Sequence, residues 1–505
     1  MNIPWPLSLK PRPGQLNATK IITEALENDY KIVLDAPTGW GKTLVTLIAL
    51  KNAKALPTLW LVRSLSVGER IAEDAEKIGL RTFIAAGRNK TCFFREIEKG
   101  DVQYYCRFFR YLCPYLKALM EHDLPQTIKS YKDLVKYCKE KKLCPYYAQD
   151  SFIEKSDITI QNYFRRRFYA ETLVIDEAHN LLMPRENKLS IDKLNDVIVA
   201  VERSPYSSKK SISSLISFKR FIENSEGIID SRAFLDESVI VDLESALRFF
   251  LERKVKTRIG YFLRVLESDI LYVEKGTIIG LKVTRFNIPR PSVLLSGTFI
   301  PELRRVLDID TYVKIERKPL QAFVLTWLTS RYNEFEDNIA DYKKLLNLLK
   351  RYGRVVAFGT QRVLSNLRSR ADIYEENIDA LPSEWSGILM LKTRGRFSEG
   401  VDINAEIVAI LGAPYMTPDV VNRLSEAYRR LGFRDYKMLA SDIPMLITTL
   451  QCVGRVTRNP DSKPVIILAD YRYQYFEKSL SPFLEVTYVK DLYDLKKKIE
   501  KFFMK

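Results

Sequence analysis

Residues 36–43 read APTGWGKT and follow the apolar run Lys31-Ile-Val-Leu34. A strand that enters a tight glycine-bearing loop and then opens a helix aims several backbone N–H groups at one point. The helix dipole adds positive potential there, which suits a polyphosphate. Ala36, Pro37, Thr38, Gly39, Trp40 and Gly41 would line that loop. Lys42 would reach the β- and γ-phosphates, and the Thr43 hydroxyl would ligate Mg²⁺. Downstream, Thr172-Leu-Val-Ile175 is a second buried-strand pattern that ends in Asp176-Glu177. Asp176 suits the metal, directly or through water, and Glu177 suits orienting an attacking water. Each motif alone occurs by chance in long chains. In this order and on these elements they imply hydrolysis of a nucleoside triphosphate, ATP first among them. His179, one of only two histidines (the other is His122), completes Asp-Glu-Ala-His and is expected to link the nucleotide site to the next motif.

A second set of polar residues lies in the other half of the chain. Arg394-Gly-Arg-Phe-Ser-Glu-Gly-Val-Asp402 places two glycines and several polar groups where a strand gives way to a helix, a loop able to meet both nucleotide and nucleic-acid backbone. After the apolar run Met445–Leu450 comes Gln451-Cys-Val-Gly-Arg-Val-Thr-Arg458, in which Gln451, Arg455 and Arg458 recur at helical spacing and share one face. Arginines aimed at a γ-phosphate stabilise the charge that develops on it, a contribution of roughly 10³–10⁵ in rate. The plainer alternative, a solvated basic face, fits poorly with Gly454 inside the same helical run.

The elements that must hold these groups are legible as alternating apolar runs and helical spacings. Strands are expected at 31–35, 58–63, Ile158–Gln161 and Thr172–Asp176, with a helix over 42–53. This is the rhythm of a parallel sheet covered by helices. It stops after Gly87, where 91–150 are rich in Cys, Tyr, Phe, Lys and Arg, and again over 190–268, which read as mostly helical. Residues 270–284 read as a hairpin around Lys275-Gly276. A short strand at Val293–Ser296 ends in Ser296-Gly297-Thr298. A second parallel set follows at Phe323–Trp327, Val355–Phe358, Ile388–Leu391, Ile407–Leu411 and Val465–Leu468, and Leu492–Phe503 is an amphipathic helix. The picture is α/β, two lobes with two insertions in the first.

The 505 residues carry a net charge of +17, which favours a polyanionic partner. Charge alone does not separate DNA, RNA and an acidic membrane surface. Basic residues interleaved with rings, in Cys106-Arg-Phe-Phe-Arg-Tyr111 and Tyr163-Phe-Arg-Arg-Arg-Phe-Tyr169, favour single-stranded nucleic acid, where cations follow the backbone and rings stack on bases. No stretch is apolar enough to span a membrane and the first residues lack the apolar core of a secretory signal, so a cytoplasmic protein is expected. Five of the six cysteines (Cys92, Cys106, Cys113, Cys138 and Cys144) fall within 53 residues, which in that compartment signals metal or redox chemistry rather than disulfides. The sixth, Cys452, suits core packing.

The ordered set GWGKT, DEAH, SGT, RGRFSEGVD and QCVGRVTR resembles superfamily 2 helicases of the XPD type, with DinG as a more distant cousin. The resemblance runs from Arg12 and Gln15 to Ala469-Asp470-Tyr471-Arg472. It implies two RecA-like parallel-sheet lobes with ATP in the cleft between them, an iron–sulfur insertion and a helical arch insertion, both in the first lobe. The boundaries expected are 1–90, 156–188 and 285–315 for the first lobe, 91–155 for the iron–sulfur domain, 189–284 for the arch and returning hairpin, and 316–505 for the second lobe. About a hundred residues between Asn180 and Ser292 make the arch small, as in an archaeal member with a short arch. The settings of Cys92 and Cys144 resemble the first and last cluster ligands of that family, and Cys106 and Cys113 then fill C-x13-C-x6-C-x30-C. Spacing alone would suit tetrahedral zinc, and only the resemblance implies [4Fe–4S]. Cys138 departs from the pattern as a fifth thiol able to replace a ligand.

What the resemblance implies is an ATP- and Mg²⁺-dependent helicase moving 5′→3′ on single-stranded or forked DNA, in a repair setting such as nucleotide excision repair, with repair-protein partners and a monomeric chain. Lys42, Asp176, Glu177, Arg455 and Arg458 would be catalytic. Arg12, Gln15, residues 36–43, His179, Gly400, Asp402 and Gln451 would bind ATP or couple it to DNA grip. Arg63, Arg88 and Thr360 are the expected DNA contacts. Two other classes stay open: a DNA-stimulated ATPase that remodels protein–DNA complexes without separating strands, and a nucleic-acid-binding module with a vestigial ATPase. RNA is an open alternative to DNA.

Overall fold

A computed structural model describes residues 5–6, 9–37, 39–94, 97–98, 100–165, 170–282, 288–397, 402–456 and 463–504, with the Leu182 side chain also outside the description. The chain divides into two compact units. The first comprises Met1–Leu34, Thr43–Leu295 and Asp310–Val313; the second comprises Asp35–Lys42, Ser296–Ile309 and Lys314–Lys505.

In chain order the first strands are β1 (Lys31–Asp35), β2 (Thr58–Val62), β3 (Thr82–Ile84), β4 (Ile158–Asn162) and β5 (Thr172–Ile175). Then come β6 (Arg185–Ser190), β7 (Gly227–Ile229), β8 (Ile270–Glu274) and β9 (Thr277–Lys282), followed by β10 (Ser292–Ser296) and β11 (Thr311–Lys314). One seven-stranded sheet has the order β11-β1-β10-β5-β2-β4-β3, with β5 parallel to both β10 and β2, and β4 parallel to β2 and β3. At one end of β1 the Ser292 N–H donates to the Tyr30 carbonyl, and at the other the Ala36 N–H donates to the Ser296 carbonyl, so β1 also runs parallel to β10. Strands such as Lys31–Asp35 and Ser292–Ser296 are buried along their whole length, as expected where helices cover both faces of a parallel sheet. The phosphate-loop segment therefore follows one central strand, and Asp176-Glu177 follow another two places away.

Between β5 and β10 lies a helical insertion: helices Ile191–Glu202, Lys209–Glu223, Glu237–Glu252 and Ile259–Leu266, closed by an antiparallel sheet ordered β6-β9-β8-β7. The hairpin expected around Lys275-Gly276 is β8–β9. Its core, built on Leu215, Phe218, Val239, Leu243, Leu247 and Phe262, also takes in Ile97, Val102, Tyr104 and Phe109. The cysteine-rich segment thus contributes side chains to the helical insertion. Its later helices, Tyr131–Lys141 and Pro145–Ile153, pack instead on β3, where Leu134, Cys138, Ala148 and Phe152 meet Phe83 and Ala85.

The second unit has its own seven-stranded parallel sheet: β12 (Leu320–Leu325), β13 (Val355–Gly359), β14 (Ile373–Tyr374), β15 (Ile388–Lys392), β16 (Ile407–Leu411), β17 (Val465–Ala469) and β18 (Leu484–Val489), in the order β14-β15-β13-β16-β17-β12-β18. All six pairings between its neighbouring strands are parallel. The strand expected at Phe323–Trp327 begins earlier, at Leu320, because Leu320–Gln321 pair with Leu484–Glu485 on the edge strand β18. The C-terminal helix runs over Leu492–Phe503 as expected, burying Leu495 and Ile499, and is capped by the Asp491 carboxylate accepting from the Asp494 N–H.

Candidate nucleotide and cysteine sites

The phosphate loop is held open by two left-handed glycines, Gly39 (φ +82°) and Gly41 (φ +103°), a conformation that side chains rarely adopt. Lys42 begins the helix Lys42–Asn52, and its ammonium donates to the loop's own carbonyls, Ala36 at 2.8 Å and Pro37 at 3.3 Å. These oxygens hold the cation over the loop, where a phosphate would compete for it. Thr43 occupies the first turn of the same helix, and Thr38 lies outside the described residues. Arg12 and Gln15 meet at the entry to the helix Gln15–Glu27: the Gln15 side-chain oxygen accepts from the Arg12 N–H at 2.8 Å, and Gln15 is buried.

At the end of β5 the Asp176 N–H donates to the Leu61 carbonyl at 3.0 Å, which continues the ladder one residue beyond the strand. Glu177 then turns the chain with φ +49° and ψ +52°, a left-handed conformation that is rare outside glycine and clusters at functional sites. His179 is 2% exposed with its Nδ1 3.5 Å from Glu177 Oε2. The first ring of the Tyr163–Tyr169 stretch sits at this turn. Tyr163 is half-buried below this turn, its hydroxyl donating to the Asp176 carbonyl. Burial, then the Asp176 and Glu177 charges, push that phenol well above its ordinary range. Its neighbour Phe164 is half exposed with the Arg185 guanidinium 5.4 Å from its ring, and 166–169 lie outside the described residues.

In the second unit Arg394 follows β15. Its guanidinium donates to the Pro414 carbonyl at 3.1 Å and the Thr448 hydroxyl at 3.2 Å, and burial pushes its pKa down. The next residues hang on Glu375, whose carboxylate accepts from the backbone N–H groups of Lys392 and Arg396 at 2.6 and 3.1 Å. A buried glutamate that anchors a loop through backbone N–H groups has no local sequence signature, and Glu375 went unread. Asp402 is exposed, and Gly400 lies outside the described residues. The helix carrying Gln451 runs over Asp442–Gly454, so Gly454 is its last residue rather than an interior one. Arg455 stands just past that end, buried, with its carbonyl accepting from the Ile403 N–H at 3.0 Å. This ties the arginine segment to the end of the Arg394–Asp402 loop. Arg458 lies outside the described residues. Cys452 is buried as core, its thiol directed at the Thr393 carbonyl and pushed up to about 12 by burial.

Cys92, Cys106, Cys113 and Cys144 line one pocket together with Arg88, Phe94, Tyr105, Phe109, Tyr146 and Tyr147. Cys113 and Cys144 each precede a proline that opens a short helix, Pro114–Met120 and Pro145–Ile153. Burial raises both thiols, Cys144 to about 12, while backbone N–H groups one turn on (Leu116 and Tyr115; Tyr147 and Tyr146) pull the other way. Such N–H groups favour a thiolate once a cation shares the pocket. The donor set and its apolar, aromatic shell fit a thiolate-held metal centre. Among the described residues no three His, Cys, Asp or Glu side chains already stand at metal-binding separation, so the thiols line the pocket without closing on its centre. Cys138 does not line the pocket; it is buried against Leu134, Leu143 and Phe152.

Of the expected DNA contacts, Arg63 is exposed and donates to Asn180 Oδ1 at 3.2 Å. Thr360 follows β13 and precedes the helix Gln361–Leu367. Arg88 turns into the cysteine pocket, its guanidinium 4.1 Å from the Tyr146 ring, with Cys106 and Tyr147 beside it. On the outside of this segment Tyr111 and Leu112 are about 70% exposed and Arg110 stacks on Tyr111 at 4.5 Å, a cation–aromatic surface of the kind that takes unpaired bases. Among the described residues no helix is long and apolar enough to cross a membrane.

Two family models match the chain: DEAD_2 over residues 69–198 and the Helicase C-terminal domain over residues 329–484. The ATP-dependent DNA helicase XPD of Sulfolobus acidocaldarius is 24% identical, covering 94% of this chain and 98% of that protein. The general transcription and DNA repair factor IIH helicase subunit XPD/RAD3 of Saccharomyces cerevisiae is also 24% identical, over 62% of this chain and 51% of that one. Among solved structures, an XPD helicase superposes with a TM-score of 0.70 at 22% identity over 95% of this chain and 100% of its own, and Xpd4 of S. tokodaii with 0.65 at 17% over 95% and 100%. The chain thus has the two RecA-like parallel-sheet lobes and, in order, both family-model matches of an XPD-like superfamily 2 helicase.

Proposed function

We propose that this protein is an ATP-dependent DNA helicase that translocates 5′→3′ on single-stranded DNA and serves DNA repair. The observation that carries the reading is the arrangement of the first sheet. The glycine-shaped loop with Lys42 and Thr43 follows β1, and the strained Asp176-Glu177 turn follows the parallel strand β5. Lys42 would leave the Ala36 carbonyl for the β/γ-phosphates, Thr43 and Asp176 would hold Mg²⁺, and Glu177 would orient the water. Arg455 would place positive charge at the γ-phosphate with the Gln451 amide as a neutral donor beside it, and Gly400 and Asp402 would belong to the loop that relays nucleotide state to DNA grip. The relatives named as DNA helicases support the DNA substrate, and the charge of +17 supports a polyanion in general. Polarity and the repair setting rest on the family alone.

Cys92, Cys106, Cys113 and Cys144 would hold a [4Fe–4S] cluster in the pocket they line. Bound there, a cluster would brace the segment where strands part. Arg88 would lie beside the cluster ligands, and Tyr111 and Arg110 would face the DNA.

The direct test is steady-state ATP hydrolysis with and without single-stranded DNA, by protein purified anaerobically. Hydrolysis stimulated by DNA and abolished in Lys42→Ala and Glu177→Gln is expected. Hydrolysis indifferent to DNA, or unchanged in Glu177→Gln, contradicts the reading.

A further inference from the structure

Five residues of the first unit form a closed circuit of hydrogen bonds around the Glu177 turn. Asn162, the last residue of β4, donates its side-chain amide to the Arg63 carbonyl. The Arg63 guanidinium donates to Asn180 Oδ1 at 3.2 Å. Asn180 in turn gives both its backbone N–H (2.9 Å) and its side-chain N–H (3.2 Å) to the Glu177 carbonyl. Tyr163, next to Asn162 in sequence, donates its hydroxyl to the Asp176 carbonyl and lies 3.4 Å from that of Glu177. Its own N–H is fixed by the Val62 carbonyl at 3.3 Å, one residue before Arg63. One end of the circuit is thus an exposed arginine, and the other is the backbone of the residue placed to orient water. Held in a left-handed conformation, Glu177 needs surroundings that hold it there.

The exposed side of the circuit is built for a polyanion. Arg63 and Arg185 are exposed, and Phe164 stands beside Tyr163 with Arg185 over its ring. A phosphate oxygen carries a negative charge and can take the guanidinium in a forked pair of bonds, whereas the Asn180 amide oxygen is neutral and takes one, so phosphate would win Arg63 from Asn180.

We propose that the Arg63–Asn180 hydrogen bond is where a bound nucleic-acid phosphate acts on ATP hydrolysis. With no DNA, Arg63 holds Asn180 and, through it, the Glu177 turn in a resting position. Capture of Arg63 by phosphate releases Asn180 and frees the turn to bring its carboxylate to the water. Tyr163 is the positioning residue that keeps the Asp176-Glu177 backbone in place in either state. This rests on the function proposed above and adds the regulation of its site.

The experiment compares ATP hydrolysis by the full chain with and without an oligo(dT) strand. Asn180→Ala is expected to raise the DNA-free kcat, to lower the stimulation ratio about fivefold, the worth of one hydrogen bond, and to tighten oligo(dT) binding because Arg63 no longer has to leave Asn180, with ATP KM unchanged. A merely structural role for Asn180 would lower both rates together and keep the ratio. Should Asn180→Ala fail to fold, Asn180→Leu, of similar size, loses both the acceptor for Arg63 and the side-chain donor to Glu177 and is read the same way. Tyr163→Phe is expected to lower kcat with and without DNA by a similar factor, leaving ATP KM and the ratio alone. An unchanged ratio or a DNA-free rate that does not rise in the Asn180 variant overturns the coupling, and an unchanged kcat in Tyr163→Phe overturns the positioning role. If wild-type hydrolysis ignores oligo(dT), the functional reading falls and the coupling with it, whereas a stimulated wild type with an unaltered variant ratio removes the coupling alone.

Discussion

The carboxylate of Asp35, fully buried at the end of β1, lies 2.6 Å from the Arg317 guanidinium. The same guanidinium donates to the Gly297 carbonyl at 2.9 Å and packs 4.4 Å from the Phe483 ring. One arginine therefore joins the residue before the phosphate loop to the Ser296-Gly297-Thr298 segment and to the start of β18. Removing one partner of a buried ion pair leaves an uncompensated charge and costs roughly 3–5 kcal/mol. Arg317→Met is accordingly expected to lower the thermal midpoint and weaken nucleotide binding, with Asp35→Asn in the same chain recovering part of both. A midpoint unaffected by Arg317→Met would contradict this.

Asp101 gives a pH-dependent contribution of opposite sign to most carboxylates. Burial lifts its pKa to about 6, against the opposing charge of Arg264, whose guanidinium is 3.5 Å away. Its folded pKa is raised, so the folded state holds the proton more tightly. The stabilisation this gives is complete below the ordinary value of 3.8 and is lost as pH rises through about 6. The difference between 3.8 and about 6 corresponds to roughly 3 kcal/mol. Asp101→Asn keeps a neutral polar group there. The difference in thermal midpoint, variant minus wild type, should grow between pH 4 and 6 and then level off. A difference constant across that window would rule the account out.

Metal content separates the two centres that four thiols can hold. Anaerobically purified protein is expected to carry iron and acid-labile sulfide rather than zinc. Cys106→Ser should lose the iron, because Cys106 lines the shared pocket, and Cys138→Ser should keep it, because Cys138 is buried elsewhere. Loss of iron in Cys138→Ser would return that thiol to the ligand set.

Much of this was readable because parallel strands buried on both faces are continuous apolar runs. Lys31–Asp35, Ile407–Leu411 and Val465–Ala469 were placed to within a residue or so. Short or half-exposed strands such as Thr82–Ile84, Arg185–Ser190 and Leu484–Val489 went unread, since three residues or a polar alternation do not exceed background. The nucleotide motifs were legible because phosphate chemistry demands glycine, lysine and carboxylate at fixed spacing. Tyr163, Arg317 and Glu375 were not, because each acts on backbone or charge distant in sequence, and a lone tyrosine or arginine carries no local pattern. The four pocket cysteines could be grouped only through the family resemblance, while Cys138, equally near in sequence, was set apart by packing.

The central claim is tested most directly by strand separation with ATP and Mg²⁺ on duplexes bearing either a 5′ or a 3′ single-stranded tail, with Glu177→Gln as the inactive control. The account predicts unwinding of the 5′-tailed duplex alone, lost in the control. Unwinding of the 3′-tailed duplex, or DNA-stimulated hydrolysis with neither duplex opened, would contradict it, the latter in favour of an ATPase that remodels protein–DNA complexes.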